Sequence, residues 1–152
     1  MTAELRELYN DMILEHAKSQ RNYRTLGAGS LQRDGHNPLC GDHVTVYLQM
    51  DGEVVKDVTF QGQGCAVSKA SASVMTQLLK GKTRAEAEAL YETFHDLLTG
   101  KIDAAAEEER LGKLAAFKDV PKFPVRVKCA TLAWHTLHAA LHGDKKAVST
   151  EE

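Results

Sequence analysis

An antiparallel β-hairpin set among amphipathic helices, all in one domain, is the architecture this sequence predicts. Three observations carry it. Between His43 and Phe60 the apolar residues Val44, Val46, Leu48 and Met50 alternate with polar ones, Asp51-Gly52 interrupts, and Val54, Val55, Val58 and Phe60 follow. That is the pattern of two strands joined by a tight turn. Elsewhere the apolar residues recur every three or four positions, as on one face of a helix. The length, 152 residues, suits one core of ordinary size, since single domains most often run about 100 to 150 residues.

Taken in order, Leu5, Leu8, Tyr9, Met12 and Ile13 predict an opening helix from an N-cap at Thr2 to about Lys18. Ser19 to Pro38 is polar, carries Gly27, Gly29 and Gly35, and reads as a long loop. The hairpin comes next. Gly62-Gln63-Gly64 breaks its second strand, and Val67, Ala70, Val74 and Leu78 mark a helix that stops at Gly81. Thr83-Arg84-Ala85-Glu86 is a capping-box pattern for a further helix ending near Gly100. Asp103 is read as the cap of another, from Ala104 to Ala116, with Glu107-Glu108-Glu109 as a solvated face. Pro121 and Pro124 bracket a connector. Val127, Ala130, Trp134, Leu137 and Leu141 then form one stripe of a closing helix that ends at Gly143. Residues 1–143 are expected to form the domain and 144–152 a flexible tail.

Composition narrows the functional classes. Apolar and charged fractions of 43% and 26% are those of a soluble globular protein. A formal charge of -2 gives no electrostatic case for nucleic acid. Met1 to Leu14 mixes Glu4, Arg6, Glu7 and Asp11 with its apolar residues, so it predicts neither a secretory signal nor a membrane span, and a cytoplasmic location is expected. In a reducing compartment the odd number of cysteines, 3, argues for metal or thiol chemistry over disulfides. The competing reading is three small buried hydrophobes. It is weakest for Cys40, which sits in a turn-forming stretch.

The chemistry centres on Asn37-Pro38-Leu39-Cys40-Gly41-Asp42, where a thiol and a carboxylate stand close together in a Gly- and Pro-marked turn. Cys65 lies in Gly62-Gln63-Gly64-Cys65-Ala66 and Cys129 in Arg126-Val127-Lys128-Cys129-Ala130. Three thiols and a carboxylate make a tetrahedral set suited to zinc. Asp42 precedes the first strand of the hairpin and Cys65 follows the second, so antiparallel pairing brings them together. Cys65 at a helix N-terminus is favoured as thiolate. Arg126 and Cys129, three apart on one helix face, put a guanidinium beside a site with excess negative charge; a surface salt bridge is the equal alternative for Arg126. Lys128 is read as a solvated side chain. Among the 7 histidines, His16, His95, His135, His138 and His142 have no ligand spacing to a cysteine and are assigned surface or packing roles. His36 and His43 flank the Cys40 turn. Asp42 is preferred as fourth ligand, because His43 points to the opposite side once the strand has begun.

These three cysteine stretches resemble the motifs of the IscU/SufU superfamily of iron-sulfur assembly proteins, and the likeness runs from the first helix to about His142. Scaffold members of the IscU type have a histidine just before the third cysteine, where this chain has Lys128. They also lack the segment that Gly100 to Lys122 supplies here. Both departures resemble the SufU branch, the zinc-dependent sulfur-transfer proteins of the SUF pathway.

The resemblance implies an α+β fold, a small antiparallel sheet of three strands packed against several helices, with Gly27 to Leu31 as the place for the third strand. It implies Zn2+ on Cys40, Asp42, Cys65 and Cys129, and a SufS-type cysteine desulfurase as partner, which would carry the pyridoxal phosphate. Sulfur would pass from the partner's persulfide to Cys40, the ligand on the long loop, with Arg126 as electrostatic support, and then to downstream SUF scaffold proteins. The alternative is a scaffold that builds an iron-sulfur cluster on the same three cysteines.

Overall fold

The computed structural model of the protein describes residues 3–27, 29–38, 41–142 and 148–149. Thr2, Cys40, Gly143 and Asp144, which the sequence reading invoked, lie outside the described residues.

The opening segment forms two helices where one was expected: α1, Ala3–Leu8, and α2, Asp11–Lys18. Asn10 makes the break. Its side-chain oxygen accepts the Ile13 amide at 3.1 Å as N-cap of α2, while its Nδ2 donates to the Ala116 carbonyl at 2.8 Å. An Asn with both ends of its amide engaged favours a cap over continued helix. On α2, Ile13 and His16 are buried, and His16 Nδ1 lies 2.7 Å from Ser73 Oγ. This histidine has the packing role assigned to it.

The expected long loop is ordered at both ends. The Tyr23 ring meets Phe60 edge-on at 5.2 Å, and its hydroxyl donates to the Gly62 carbonyl at 3.0 Å. Further on, the third strand, β1, is Leu31–Asn37, not Gly27 to Leu31. Its sequence hides it because the buried positions are Gly35 and Asn37, neither of them a strand former. Gly35 is required there: a Cβ would overlap Thr136 Oγ1 of the closing helix. The strand can pair only where a helix passes too close for a side chain.

The hairpin forms as the alternation predicts, with β2 at Asp42–Asp51 and β3 at Val54–Gln63. Gly52 has the positive φ of a tight turn, 61°, and a bulge between Gln49 and Met50 shifts the register. Antiparallel pairing runs Leu31↔Leu48 to Asn37↔Asp42 on one side of β2 and Asp51↔Val54 to His43↔Gln63 on the other. The result is a three-stranded antiparallel meander. Within the expected tail, a two-residue strand β4, Val148–Ser149, adds in parallel to β1, so the sheet order is β3-β2-β1-β4.

Helix α3, Ala66–Leu79, and α4, Arg84–Leu98, follow. The capping box of α4 is complete: Thr83 Oγ1 accepts from the Glu86 amide at 3.1 Å and Glu86 Oε1 from the Thr83 amide at 3.0 Å. The predicted helix from Ala104 to Ala116 shrinks to α5, Glu108–Leu111, followed by 3-10 turns at Gly112–Phe117 and Val120–Lys122. Gly112, at φ 53°, ends it, and Asp103 caps a single turn through the Ala105 amide. The turns still serve the core, burying Leu111, Leu114, Phe117 and Val120.

The closing helix α6, Pro124–Leu141, is the central element, packed against α3, β1 and β2. Pro124 at its first position suits a helix start. Trp134 is buried against Phe94 at 4.8 Å, and Phe94 meets Phe117 edge-on at 5.3 Å. Ser71 of α3 donates to the Ala130 carbonyl at 2.5 Å, which fixes α3 beside the Cys129 turn. The fold is α+β: a small antiparallel sheet with one face covered by helices. Among the described residues no helix is long and apolar enough to cross a membrane.

Candidate metal centre

Three elements deliver the site. β2 begins at Asp42, β3 returns the chain so that Cys65 becomes the N-cap of α3, and α6 supplies Cys129 from its second turn. Cys129 therefore lies inside the helix, past its first turn. One ligand atom from each of Asp42, Cys65 and Cys129 lies within 4.8 Å of the other two. Cys40 falls outside the described residues. The Gly41 amide donates to the Asn37 carbonyl at 2.8 Å.

Close packing makes the cluster. At Gly64 a Cβ would lie 2.9 Å from Asp42 Oδ1 and 3.0 Å from Ser68 Oγ, so a side chain there would push against the carboxylate. Asp42 Oδ1 accepts the Cys65 amide at 3.2 Å. Among the described residues its buried Oδ2 has no hydrogen-bond partner. A buried carboxylate oxygen without a donor is costly, and beside two cysteine sulfurs a divalent cation is the group that fits. Thiolates and a carboxylate are donors that zinc accepts.

Electrostatics separates the two thiols. Cys65 is lowered to about 6, chiefly because the Cys129 thiol donates to its sulfur; burial opposes this, and the Ser68 amide and the Arg126 guanidinium reinforce it. Cys129 moves the other way, raised by that same shared proton, by burial and by Asp42. In the metal-free protein Cys65 is thus the thiolate and Cys129 keeps the proton. Burial pushes the Arg126 guanidinium down, but the Cys65 charge and the Cys129 sulfur, 3.9 Å away, hold it above its usual range.

A lowered thiol pKa leaves the thiolate populated above about pH 6 and removes it below. Since the thiolate is the nucleophile, iodoacetamide labelling of Cys65 in metal-free protein, followed by peptide mass spectrometry, should rise through about pH 6 and then level off, with Cys129 unlabelled at pH 8. A midpoint for Cys65 at the ordinary thiol value, about 8.5, would contradict this division.

Of the other expected residues, His36 and His43 are exposed and are not part of the cluster, whereas Asp42 is buried. Lys128 is half-buried on the turn before Cys129. Asn37 was missed as a site residue. It is fully buried, and its Nδ2 donates to Cys129 Sγ at 3.8 Å. The available signal was its place opposite Asp42 on the neighbouring strand.

An α+β domain that gathers two thiols and a carboxylate at one end of a hairpin has the donors of a candidate metal centre. Residues 8–146 match the family model described as NifU-like N terminal domain, and the chain belongs to that family, within the IscU/SufU superfamily. It is 40% identical over 151 residues to the zinc-dependent sulfurtransferase SufU of Bacillus subtilis, covering 99% of this chain and 95% of that protein. It is 36% identical to the iron-sulfur cluster assembly scaffold protein IscU of Streptococcus pyogenes, covering 91% and 86% of the two chains. Among solved structures, a putative iron-sulfur cluster assembly scaffold protein for the SUF system from Fervidobacterium islandicum superposes with a TM-score of 0.82 at 36% identity, over 90% of this chain and 98% of that one.

Proposed function

We propose that this protein is a zinc-dependent sulfurtransferase of iron-sulfur cluster assembly, accepting persulfide sulfur from a SufS-type cysteine desulfurase and passing it to downstream SUF scaffold proteins in the cytoplasm. The observation that carries the reading is the Asp42–Cys65–Cys129 cluster with its orphaned buried Asp42 oxygen. The relative named as a zinc-dependent sulfurtransferase, similar along nearly the whole chain, supports it.

Cys40, Asp42, Cys65 and Cys129 would hold the zinc, which supplies a charge that keeps its thiol ligands deprotonated near neutral pH. Cys40 is the sulfur acceptor. Its thiolate attacks the outer sulfur of the partner's persulfide, the S–S bond breaks, and the electron pair leaves on the partner's cysteine as thiolate; the persulfide is then on Cys40. Asp42, Cys65 and Cys129 are fixed by β2, α3 and α6 and retain three donors while Cys40 reacts. Arg126 offsets the negative charge of the donor set.

A second reading, a scaffold for cluster building, is favoured by the relatives named IscU. Lys128 in place of a histidine before Cys129 stands against it. Metal analysis of protein purified without added metal, paired with a desulfurase assay, separates the two: one zinc per chain, no stoichiometric iron, and faster cysteine turnover are expected. An ammonium has no lone pair for a metal near neutral pH, so Lys128→Ala should keep its zinc. Asp42→Ala should bind zinc at least about 10-fold more weakly, the smallest loss usually seen on disturbing a metal site. Stoichiometric iron and no effect on the desulfurase would favour the scaffold, and zinc loss from His43→Ala but not Asp42→Ala would replace the fourth ligand.

A further inference from the structure

Away from the thiols, α4 and the end of α6 bring together a second set of donors. Glu88 Oε1 on α4 lies 2.7 Å from Nε2 of His142, the residue that caps α6. His138, one turn earlier on α6, has its ring 4.3 Å from that of His142. One donor atom from each of Glu88, His138 and His142 lies within 4.8 Å of the other two. His138 is held on its other side by Tyr91, whose ring stacks on it at 4.4 Å and whose hydroxyl is 2.7 Å from His135 Nδ1.

We infer that Glu88, His138 and His142 form a second metal site, for a borderline divalent cation such as zinc or nickel. Two imidazoles four residues apart lie on one face of a helix, and neutral imidazole suits zinc and nickel. The carboxylate arrives from a different helix, which completes three donors without a thiol. Around a tetrahedral zinc, with bonds of about 2.0–2.2 Å, donor atoms sit roughly 3.4 Å apart. The cluster therefore reaches binding geometry by small side-chain shifts, the Glu88–His142 contact opening and the remaining separations closing. Glu88 is half-buried and His142 exposed, so the cation can enter from solvent and keep open positions for water. Those open positions and the absence of sulfur distinguish this site from the Asp42–Cys65–Cys129 centre: it exchanges metal readily and has no thiolate to take up persulfide sulfur.

The test is isothermal titration of the protein as purified with zinc chloride at pH 7.5, repeated with nickel chloride. Wild-type protein should take up one further equivalent that the His138→Ala/His142→Ala double variant does not. Glu88→Gln, which keeps the shape of the side chain, should weaken that equivalent at least about 10-fold, and His95→Ala, outside the donor set, should leave it unchanged. Wild-type protein that takes up no further equivalent, or a double variant that retains it, would overturn the inference. A thiol centre that purifies empty raises the total uptake equally in both proteins and leaves the difference of one equivalent intact, so failure of the proposed function is read separately.

Discussion

Cys40→Ala is expected to abolish stimulation of the desulfurase while leaving the protein folded and able to hold zinc. The acceptor thiolate would be gone, yet Asp42, Cys65 and Cys129 still converge within 4.8 Å, and water can take a fourth position on zinc as it does in open sites. Partner binding should also persist, because a stable docking surface involves about 20 to 30 residues a side. With wild-type protein, mass spectrometry after incubation with desulfurase and cysteine should find added sulfur on Cys40 before any other cysteine. Cys129 is fully buried, and Cys65, although the thiolate of the metal-free protein, would be held on zinc as one of the fixed donors. Full stimulation by Cys40→Ala, or sulfur found only on Cys65 or Cys129, would move the acceptor while leaving the metal centre in place.

Gly62→Ala should lose both stability and metal without altering any ligand. Gly62 pairs with Val44 across the hairpin, and a Cβ there would overlap the His43 carbonyl and come within 2.8 Å of Val44 Cα. Backbone, unlike a long side chain, cannot swing aside, so the end of β3 must part from β2. Overpacking of this kind costs about 1–3 kcal/mol, and for a chain of this length each kcal/mol lowers Tm by about 2–4 °C. The same displacement separates Asp42 from Cys65, which the hairpin end holds together, and zinc affinity should fall at least about 10-fold. Gly27→Ala, with open space around the new methyl group, is the matched control and should change neither. Calorimetric melting with zinc analysis of both variants checks this; a Gly62→Ala protein with wild-type Tm and zinc content would show that β3 does not position the centre.

The hairpin, the capping box at Thr83 and the candidate cluster of Asp42, Cys65 and Cys129 were legible because each is written in a short, local pattern: alternation of period two, a reciprocal pair three residues apart, rare thiols and a carboxylate beside glycine turns. Antiparallel return of the chain even placed Asp42 near Cys65 before any coordinates. The break at Asn10 was not legible in the same way, since its amide is committed by the Ala116 carbonyl, which is remote in sequence.

What the sequence alone determined is the candidate donor types, of which Asp42, Cys65 and Cys129 come together, and which segments are helix or hairpin, because residue type and periodicity belong to the chain itself. What only the tertiary structure decided is the approach of α6. It turns Gly35 and Asn37 into inward positions of a strand with no strand pattern, sets Asn37 against Cys129, and lays His138 and His142 beside Glu88. The physical reason is that each of these depends on the distance between a helix and a strand or second helix far away in sequence, and packing fixes that distance through the small side chains at the contact.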